Sequence, residues 1–283
     1  MNYRHAYHAG NFADVLKHVI LARVVTYMKL KPQPFRVIDL HAGAGRYQLD
    51  GIEAGKTGEW RDGIGRLLDA DLPGDVRDLL APYLDTISAE NGDGEIATYP
   101  GSPLIARSLM REVDTLVANE LHPDDAALLR SALRRTEFSK VTTLDAWTAI
   151  KSLLPPPERR GIVLIDPPFE KTDEFERLTA AIADGLQRFA TGVYIVWYPI
   201  KNTATADDMV NAVARFGCPK MLDVRLQIAQ SFPGLGLTQT GVLLLNPPFS
   251  LKAELDVILP ALATCLGQDR GAAFSVIDPT GRA

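Results

Sequence analysis

The chain has 283 residues, of which 46% are hydrophobic and 23% are charged, and this composition is ordinary for a soluble globular protein with one large domain. Its formal net charge of −5 argues against nonspecific polyanion binding over the whole surface but leaves room for a local basic patch. No segment approaches 18 continuous apolar residues, and the amino terminus lacks a signal-peptide pattern, so we expect neither a membrane span nor export. Two separated cysteines, Cys218 and Cys265, favour reduced core residues in a cytoplasmic protein without a metal site.

The first predicted element is a helix from Phe12 to Lys29, because apolar residues recur there at helical spacing and Pro32 and Pro34 end the pattern. The first 36 residues also contain six basic residues against one acidic residue, Asp14. This basic excess fits either a solvated helix face or a local patch that contacts phosphates, and charge alone does not separate the two.

Strands and helices then alternate, which predicts a mainly parallel, doubly wound α/β sheet with helices on both faces. Buried strands are predicted for FRVIDL (35–40), TLVANEL (115–121), KVTTLDA (140–146), GIVLIDPP (161–168), GVYIVWYP (192–199), MLDVRLQIA (221–229) and TGVLLLNPP (240–248). Helical patterns cover 103–112, 124–135, 173–188 and 205–216.

One spacing in this pattern is anomalous. In a nucleotide-binding βαβ unit, the acidic residue that ends the second strand lies about 20 residues past the glycines. Here the best candidate, Glu120, lies 75 residues past Gly45. The excess falls between about residues 50 and 100, so we expect a small helical subdomain inserted into a single domain that spans residues 1–283.

The sequence VIDLHAGAGR places a glycine-containing turn directly after the first strand. Gly43 and Gly45 allow a ligand to approach the backbone closely, because glycine has no Cβ. Two glycines alone also fit a tight strand-to-helix turn. Glu120, at the end of the next strand, suits a ribose diol, and Asp145, at the end of the third, suits an adenine, although each is equally typical of a helix N-cap.

The tetrapeptide DPPF begins at Asp166 and follows the buried run GIVLI, so it projects from the carboxyl end of a strand, where open α/β sheets bind ligands. Asp166 and a proline carbonyl can accept both N–H bonds of a planar exocyclic amine and aim its lone pair at a methyl sulfonium. Phe169 offers a ring face for stacking on a base. The alternative is a proline-stiffened turn with a buried phenylalanine.

A second tetrapeptide, NPPF, begins at Asn246 and is a rival, because asparagine also serves in such motifs. Asn246 follows the last predicted strand, which we place at the far side of the strand order. We therefore expect Asn246 to be structural, with its two prolines ending the strand and leading into the last helix.

Together, YRHAYHAGNFADVLKH, DLHAGAGRYQL, YPGSPLIA, ELHP, RRGIVLIDPPFE and VWYP resemble the RlmJ family of bacterial 23S ribosomal RNA adenine-N6 methyltransferases. The likeness runs nearly from end to end. It implies a Rossmann-like methyltransferase fold with a small helical insertion and an amino-terminal helical segment, residues 1–34, folded over the active site. It also implies S-adenosylmethionine as the cofactor and one adenine of 23S rRNA, protein-free or early in assembly, as the substrate.

The resemblance also implies roles for single residues. Cofactor contacts fall on His18, His41, Gly43, Ser102, Glu120, Asp145, Ala146 and Asp166. The catalytic set is Asp166 with Lys17 and Phe169. Tyr3 and His5 serve the RNA together with Lys17, which we expect to hold a phosphate or a base edge beside the transferring methyl. Two positions depart from the family pattern: Phe169 stands where tyrosine is usual, and Ala146 stands where glycine is expected.

Other functions remain open on the sequence. DPPY-type motifs serve DNA adenine methylation and NPPY-type motifs serve glutamine methylation, although no separate DNA-recognition domain is visible in this sequence. The non-enzymatic alternative is an RNA-binding protein with an inactive methyltransferase fold. An intact Asp-Pro-Pro together with the glycine turn favours the enzyme.

Overall fold

The computed structural model describes residues 5–92, 94–134, 136, 138–231 and 236–281. Its strands are β1 (Arg36–Asp39), β2 (Arg46–Gln48), β3 (Thr98–Pro100), β4 (Thr115–Asn119), β5 (Ser139–Thr142), β6 (Gly161–Ile165), β7 (Val193–Pro199), β8 (Met221–Gln227), β9 (Gln239–Leu245) and β10 (Ala273–Ile277). Its α-helices are α1 (Phe12–Met28), α2 (Ile52–Thr57), α3 (Arg66–Asp69), α4 (Gly74–Asn91), α5 (Ser102–Leu109), α6 (Pro123–Leu133), α7 (Ala146–Leu153), α8 (Glu174–Arg188), α9 (Thr203–Ala214) and α10 (Leu251–Leu266). A 3-10 turn at His5–Tyr7 precedes α1, and a π turn at Arg61–Gly65 precedes α3.

The main sheet has eight strands in the order β10-β8-β9-β7-β6-β1-β4-β5. Strands β5, β4, β1, β6 and β7 are parallel to one another, whereas β9 runs antiparallel to both β7 and β8. The carboxyl ends of the five parallel strands therefore meet at one edge, where an open α/β sheet binds its ligands. The predicted α/β fold with a mainly parallel sheet is confirmed.

Successive strand residues face opposite sides of the sheet, so each strand contributes to two cores. In β6, Ile162 and Leu164 pack into the core beneath α1, α4, α5 and α10, while Val163 and Ile165 pack into the core beneath α7, α8 and α9. This double burial explains the continuous apolar run GIVLI.

Helix α1 is buried along most of its length, and the segment before it is tied to the region between β2 and β3. The backbone N–H of Ile64 donates to the carbonyl of Gly10 over 2.8 Å, and the Asn11 side chain donates to Glu59 over 2.9 Å. Helices α2, α3 and α4 occupy this region, which is where the sequence predicts an insertion. That the whole chain forms a single domain remains a prediction.

Three short strands were not predicted from the sequence: β2, β3 and β10. Strand β10 pairs with β8 at an edge of the sheet, and all five of its side chains are at least partly exposed. Its short run AFSVI is interrupted by Ser275. Strand β5 ends at Thr142 rather than at residue 146. The prediction that β9 is the last strand and lies at the far side of the sheet is therefore wrong, because β8 and β10 lie beyond it.

Asn246 is structural, as expected, but for a different reason. Because β9 runs antiparallel to β7, the carboxyl end of β9 lies at the edge opposite to that of β6. There the Asn246 side chain donates to the carbonyls of Ala190 and Gly192, over 2.8 Å each. Its backbone is left-handed, with φ of 51°, a conformation that asparagine tolerates better than most residues.

Asn246→Ala should lower the free energy of unfolding by about 2 kcal/mol, because it removes two side-chain hydrogen bonds and places alanine in the left-handed region. Asn246→Gly loses the same bonds without the backbone strain and should be about 1 kcal/mol less destabilised. Chemical denaturation of the three proteins measures both differences. Equal stability of the alanine and glycine variants would contradict the role of the left-handed backbone.

Candidate active site

The centre of the site is an ion pair between Lys17, from the second turn of α1, and Asp166, the first residue after β6. The Lys17 ammonium donates to Oδ2 of Asp166 and, over 2.7 Å, to Oδ1 of Asp14. The Lys17 side chain is 4% exposed and that of Asp166 is 14% exposed. This inward position differs from the phosphate or base-edge contact expected for Lys17.

Asp14 is the buried hub of this cluster. Its Oδ2 accepts hydrogen bonds from His5 Nε2 and from the backbone N–H of Gly10, both over 2.9 Å. Burial alone would raise the pKa of Asp14, but the charges of His5 and Lys17 hold it well below its usual value. Burial would likewise lower the pKa of Lys17, yet Asp14 and Asp166 raise it above its usual value. The lysine is therefore an ammonium at neutral pH.

His41, in the turn after β1, holds the backbone of the Asp-Pro-Pro segment. Its Nδ1 accepts the N–H of Asp166 over 3.2 Å, and its ring meets Trp147 edge-on, with 5.7 Å between ring centroids. Burial lowers the pKa of His41 to about 4, so the ring is neutral. Because Nδ1 accepts, Nε2 carries the proton.

In the glycine turn after β1, the backbone of Gly43 lies close to Tyr47. Gly43 has φ of 61°, and a Cβ at this position would lie 2.0 Å from the Tyr47 hydroxyl oxygen, so only glycine fits without a shift. The Gly43 N–H donates to Glu120 Oε2 over 2.9 Å, and that of His122 donates to Oε1 over 2.7 Å. Burial raises the pKa of Glu120.

Asp145 and Ala146 lie at the start of α7. Asp145 is the N-cap, and its carboxylate accepts the Thr148 N–H over 3.1 Å, so the prediction that it ends the third strand is wrong. Ala146 is buried. Arg177 stacks over the Trp147 ring at 5.3 Å and lies beside Asp145 at 3.8 Å.

Ser102 and His18 face the same cavity from α5 and α1. Ser102 follows the N-cap of its helix, Gly101, and its hydroxyl donates to Asp39 Oδ2 over 2.6 Å. The His18 Nδ1 contacts the Tyr99 hydroxyl over 2.6 Å. Burial raises the pKa of Asp39 to about 7 and lowers that of His18 to about 3.

Phe169 lies outside this cavity and faces a second one. Its backbone is left-handed, with φ of 50°, which for a phenylalanine costs on the order of 1–2 kcal/mol. The ring packs against Phe175, with centroids 4.7 Å apart, and against Trp197, with centroids 5.7 Å apart. The strained turn aims an aromatic surface into the second cavity.

The two cavities meet at the ion pair. Four residues line both of them: His5, Lys17, Asp166 and Pro168. The first cavity also contains the expected cofactor residues His18, His41, Gly43, Ser102, Glu120, Asp145 and Ala146. Phe169 and Trp197 line only the second. A group in either cavity can therefore reach the Asp166 carboxylate.

Of the residues expected at the site, Tyr3 alone lies outside the described residues. The sequence analysis missed Asp14, Asp39, Trp147 and Trp197. Asp14 had a readable signal, because it precedes Lys17 and His18 by three and four residues on a predicted helix, and such positions share one face. Of the early basic residues, Lys29, Lys31 and Arg36 lie at or before the start of β1, at the edge of the sheet opposite to the site.

Two absences hold for the described part of the chain. It contains no group of three or more His, Cys, Asp or Glu side chains that could hold a metal ion. Within those same residues, no helix has the length and apolar character needed to cross a membrane.

Comparisons with known proteins place this chain in a family. The model of the RsmJ family, described as "Ribosomal RNA large subunit methyltransferase D, RlmJ", matches residues 32–276. The chain is 40% identical to the ribosomal RNA large subunit methyltransferase J of Escherichia coli, with 93% of this chain and 92% of that protein covered. It is also 40% identical to the Haemophilus influenzae protein of the same name, with 94% of each covered. In structure it is similar to protein LPL1258 of Legionella pneumophila, with a TM-score of 0.87 and 30% identity over 96% of this chain and 98% of that one.

The raised pKa of Asp39 predicts a pH-dependent cost in stability. In an unfolded chain an aspartate has a pKa near 3.9, so the Asp39 carboxyl binds its proton more tightly in the folded protein. The free energy of unfolding therefore falls as pH rises from about 4 through about 7. Asp39→Asn, which keeps the shape without the charge, should therefore gain more stability relative to the natural protein at pH 8 than at pH 4. Denaturation at both pH values measures the difference. A gain that does not change with pH would show that Asp39 titrates normally in the folded state.

Proposed function

The chain belongs to the RsmJ family of ribosomal RNA large subunit methyltransferases, and from that premise we propose that it transfers a methyl group from S-adenosylmethionine to N6 of one adenine in 23S ribosomal RNA. The observation that carries this proposal is the position of Asp166. Its carboxylate stands at the junction of two cavities, one suited to the cofactor and one to a nucleotide base.

The residues of the first cavity fit S-adenosylmethionine. Gly43 brings backbone without a side chain to the wall of this cavity, and Glu120 retains carboxylate lone pairs for a ribose diol after accepting its two backbone N–H bonds. Asp145 and Ala146, beside the Trp147 ring, are placed to contact the adenine. Ser102 and His18, which line the cavity from α5 and α1, are assigned to the methionine portion. When bound, the cofactor supplies an electrophilic methyl group.

Asp166 aligns the acceptor amine. One of its oxygens is occupied by Lys17, which leaves the other to accept an N–H from the adenine N6. The bond from the Asp166 N–H to His41 fixes the backbone that carries this carboxylate. A preorganised carboxylate localises the nitrogen lone pair and offsets the positive charge that develops on N6.

Lys17 positions this carboxylate and does not act as a base, because its ammonium stays protonated between Asp14 and Asp166. It also limits the negative charge at the reaction centre, where two buried carboxylates would otherwise repel each other. His5 contributes through its bond to Asp14, so we propose that it orders the amino-terminal segment around the substrate. The RNA contact proposed for Tyr3 falls on the same segment.

Phe169 and Trp197 offer the acceptor base an apolar aromatic surface beside Asp166. Stacking on such rings stabilises an unstacked base by about 1–3 kcal/mol, which helps to offset the cost of drawing an adenine out of its RNA context. A phenylalanine serves stacking as well as the tyrosine usual at position 169. Because the adenine must enter a recessed site, we propose that the substrate is 23S rRNA that is protein-free or early in assembly, in the cytoplasm.

Asp166→Ala should lower the rate of methyl transfer per folded molecule by about 10²–10³, because the acceptor for the amine is lost. The variant should be less stable but still fold, since Lys17 keeps its bond to Asp14. The substrate is deproteinised 23S rRNA from cells that lack the enzyme, and the methyl group is mapped to the adenine N6. Asn246→Ala is the matched control, since it alters the other Pro-Pro motif, and its rate per folded molecule should match the natural protein. An Asp166→Ala rate within a few-fold of the natural one, or a larger loss in the control, would contradict the proposal.

A further inference from the structure

We infer that Tyr83 and Tyr99 position His18 as a hydrogen-bond donor toward the cofactor, so that the inserted helices take part in cofactor binding. Tyr83 belongs to α4, within the insertion, and Tyr99 to β3, which follows it. The inference rests on the proposed function, in that it takes the first cavity as the S-adenosylmethionine site.

The three side chains form one buried chain of polar atoms. The Tyr83 hydroxyl lies 3.0 Å from that of Tyr99, which in turn lies 2.6 Å from His18 Nδ1. The His18 and Tyr99 rings are stacked, with centroids 5.6 Å apart. None of the three residues is more than 1% exposed, so water does not compete for these bonds.

The hydrogen bonds that join these three side chains can run in one of two directions. If Tyr83 donates to Tyr99 and Tyr99 donates to His18 Nδ1, both hydroxyl protons are used, and the histidine carries its own proton on Nε2. If Nδ1 donated instead, Tyr99 would donate to Tyr83, and the Tyr83 proton would have no acceptor among the described residues. A buried unpaired donor costs about 1–3 kcal/mol. The first arrangement leaves that donor at His18 Nε2, on a residue that lines the first cavity, where a ligand can accept from it, whereas the second leaves it at Tyr83, which does not line that cavity.

A second contact favours the same tautomer. His18 Nε2 lies 4.0 Å from Oδ1 of Asp14, and a carboxylate at that distance attracts an N–H rather than a lone pair. Burial keeps the ring neutral by lowering its pKa to about 3. Within the described residues, Nε2 has no hydrogen-bond partner, although the residue lines the first cavity. It is a buried donor without an acceptor of its own.

The ligand group that suits such a donor is an anion. With the ribose and adenine assigned to Glu120 and Asp145, the remaining acceptor on the cofactor is the carboxylate of its methionine portion. Ser102 complements this assignment, because its hydroxyl proton is given to Asp39 and its lone pairs are left to accept from the ammonium of the same portion.

The tautomer is measured first, on the natural full-length protein, from nitrogen–proton correlations of the histidine rings. Calorimetry then gives the affinities of Tyr99→Phe for S-adenosylmethionine and for 5′-methylthioadenosine, which lacks the amino-acid portion. Tyr194→Phe is the matched control. Its hydroxyl is also buried, but it donates to the Phe189 carbonyl on the other face of the sheet.

We expect His18 protonated on Nε2, an S-adenosylmethionine affinity about tenfold weaker in Tyr99→Phe, unchanged binding of 5′-methylthioadenosine, and natural affinities in Tyr194→Phe. Tyr83→Phe should weaken S-adenosylmethionine by about threefold, and should add nothing in the Tyr99→Phe background, because Tyr83 acts only through Tyr99.

A proton on Nδ1, natural affinity in Tyr99→Phe, or an equal loss for both ligands would overturn the inference. An effect of Tyr83→Phe that persists without the Tyr99 hydroxyl would overturn the role of the inserted helices. Failure of the natural protein to bind S-adenosylmethionine at all is a different result, which would contradict the proposed function itself.

Discussion

The site depends on a buried ammonium held between two carboxylates. The Lys17 ammonium is buried and pairs with Asp14 and Asp166. Moving such an ion out of water costs several kcal/mol, so it is tolerated only when its partners are in place. That requirement explains why α1 is enclosed by other elements although it precedes the first strand. It also explains why Asp14 takes further bonds from His5 and Gly10, which tie the amino-terminal segment to the reaction centre.

Glu59 and Ile64, in the segment between β2 and β3, contribute to the same constraint. They hold the backbone of Gly10 and the side chain of Asn11 and therefore fix the start of the helix that carries Lys17. The sheet supplies the other half of the centre, since Asp166 lies at the end of β6, next to the turn that contains His41 and Gly43. Two separate parts of the chain thus meet at one bond, and both cavities open onto it.

Much of this arrangement could be predicted because local sequence patterns indicate it. Apolar runs marked the central strands, and the Asp-Pro-Pro segment followed the run GIVLI. The resemblance to the RlmJ family, which the comparisons confirm, supplied the residues that now share the first cavity. The edge strand β10 was not predicted, because its side chains are only partly buried. Asp145 was predicted to end a strand because the residues before it are typical of a strand, but it is the N-cap of α7.

Local patterns could not predict which residues far apart in the sequence are in contact. The pairing of Lys17 with Asp166 joins positions 149 residues apart, and that of His18 with Tyr99 joins positions 81 apart. Such contacts follow from the packing of α1 against the sheet and the insertion, not from spacing. The role of Lys17 changed for this reason: exposed at a surface it would contact phosphate, whereas enclosed by two carboxylates it holds one of them in place.

The most direct test of this account is the pH dependence of methyl transfer in a single turnover, measured on deproteinised 23S rRNA between pH 8 and 9.5, above the pKa of Asp39 of about 7. An ammonium that never loses its proton predicts a rate that is flat across this range. A rate that rises about tenfold per pH unit before reaching a plateau, and loses that rise in Lys17→Arg, would show that Lys17 acts as a base and would contradict the account.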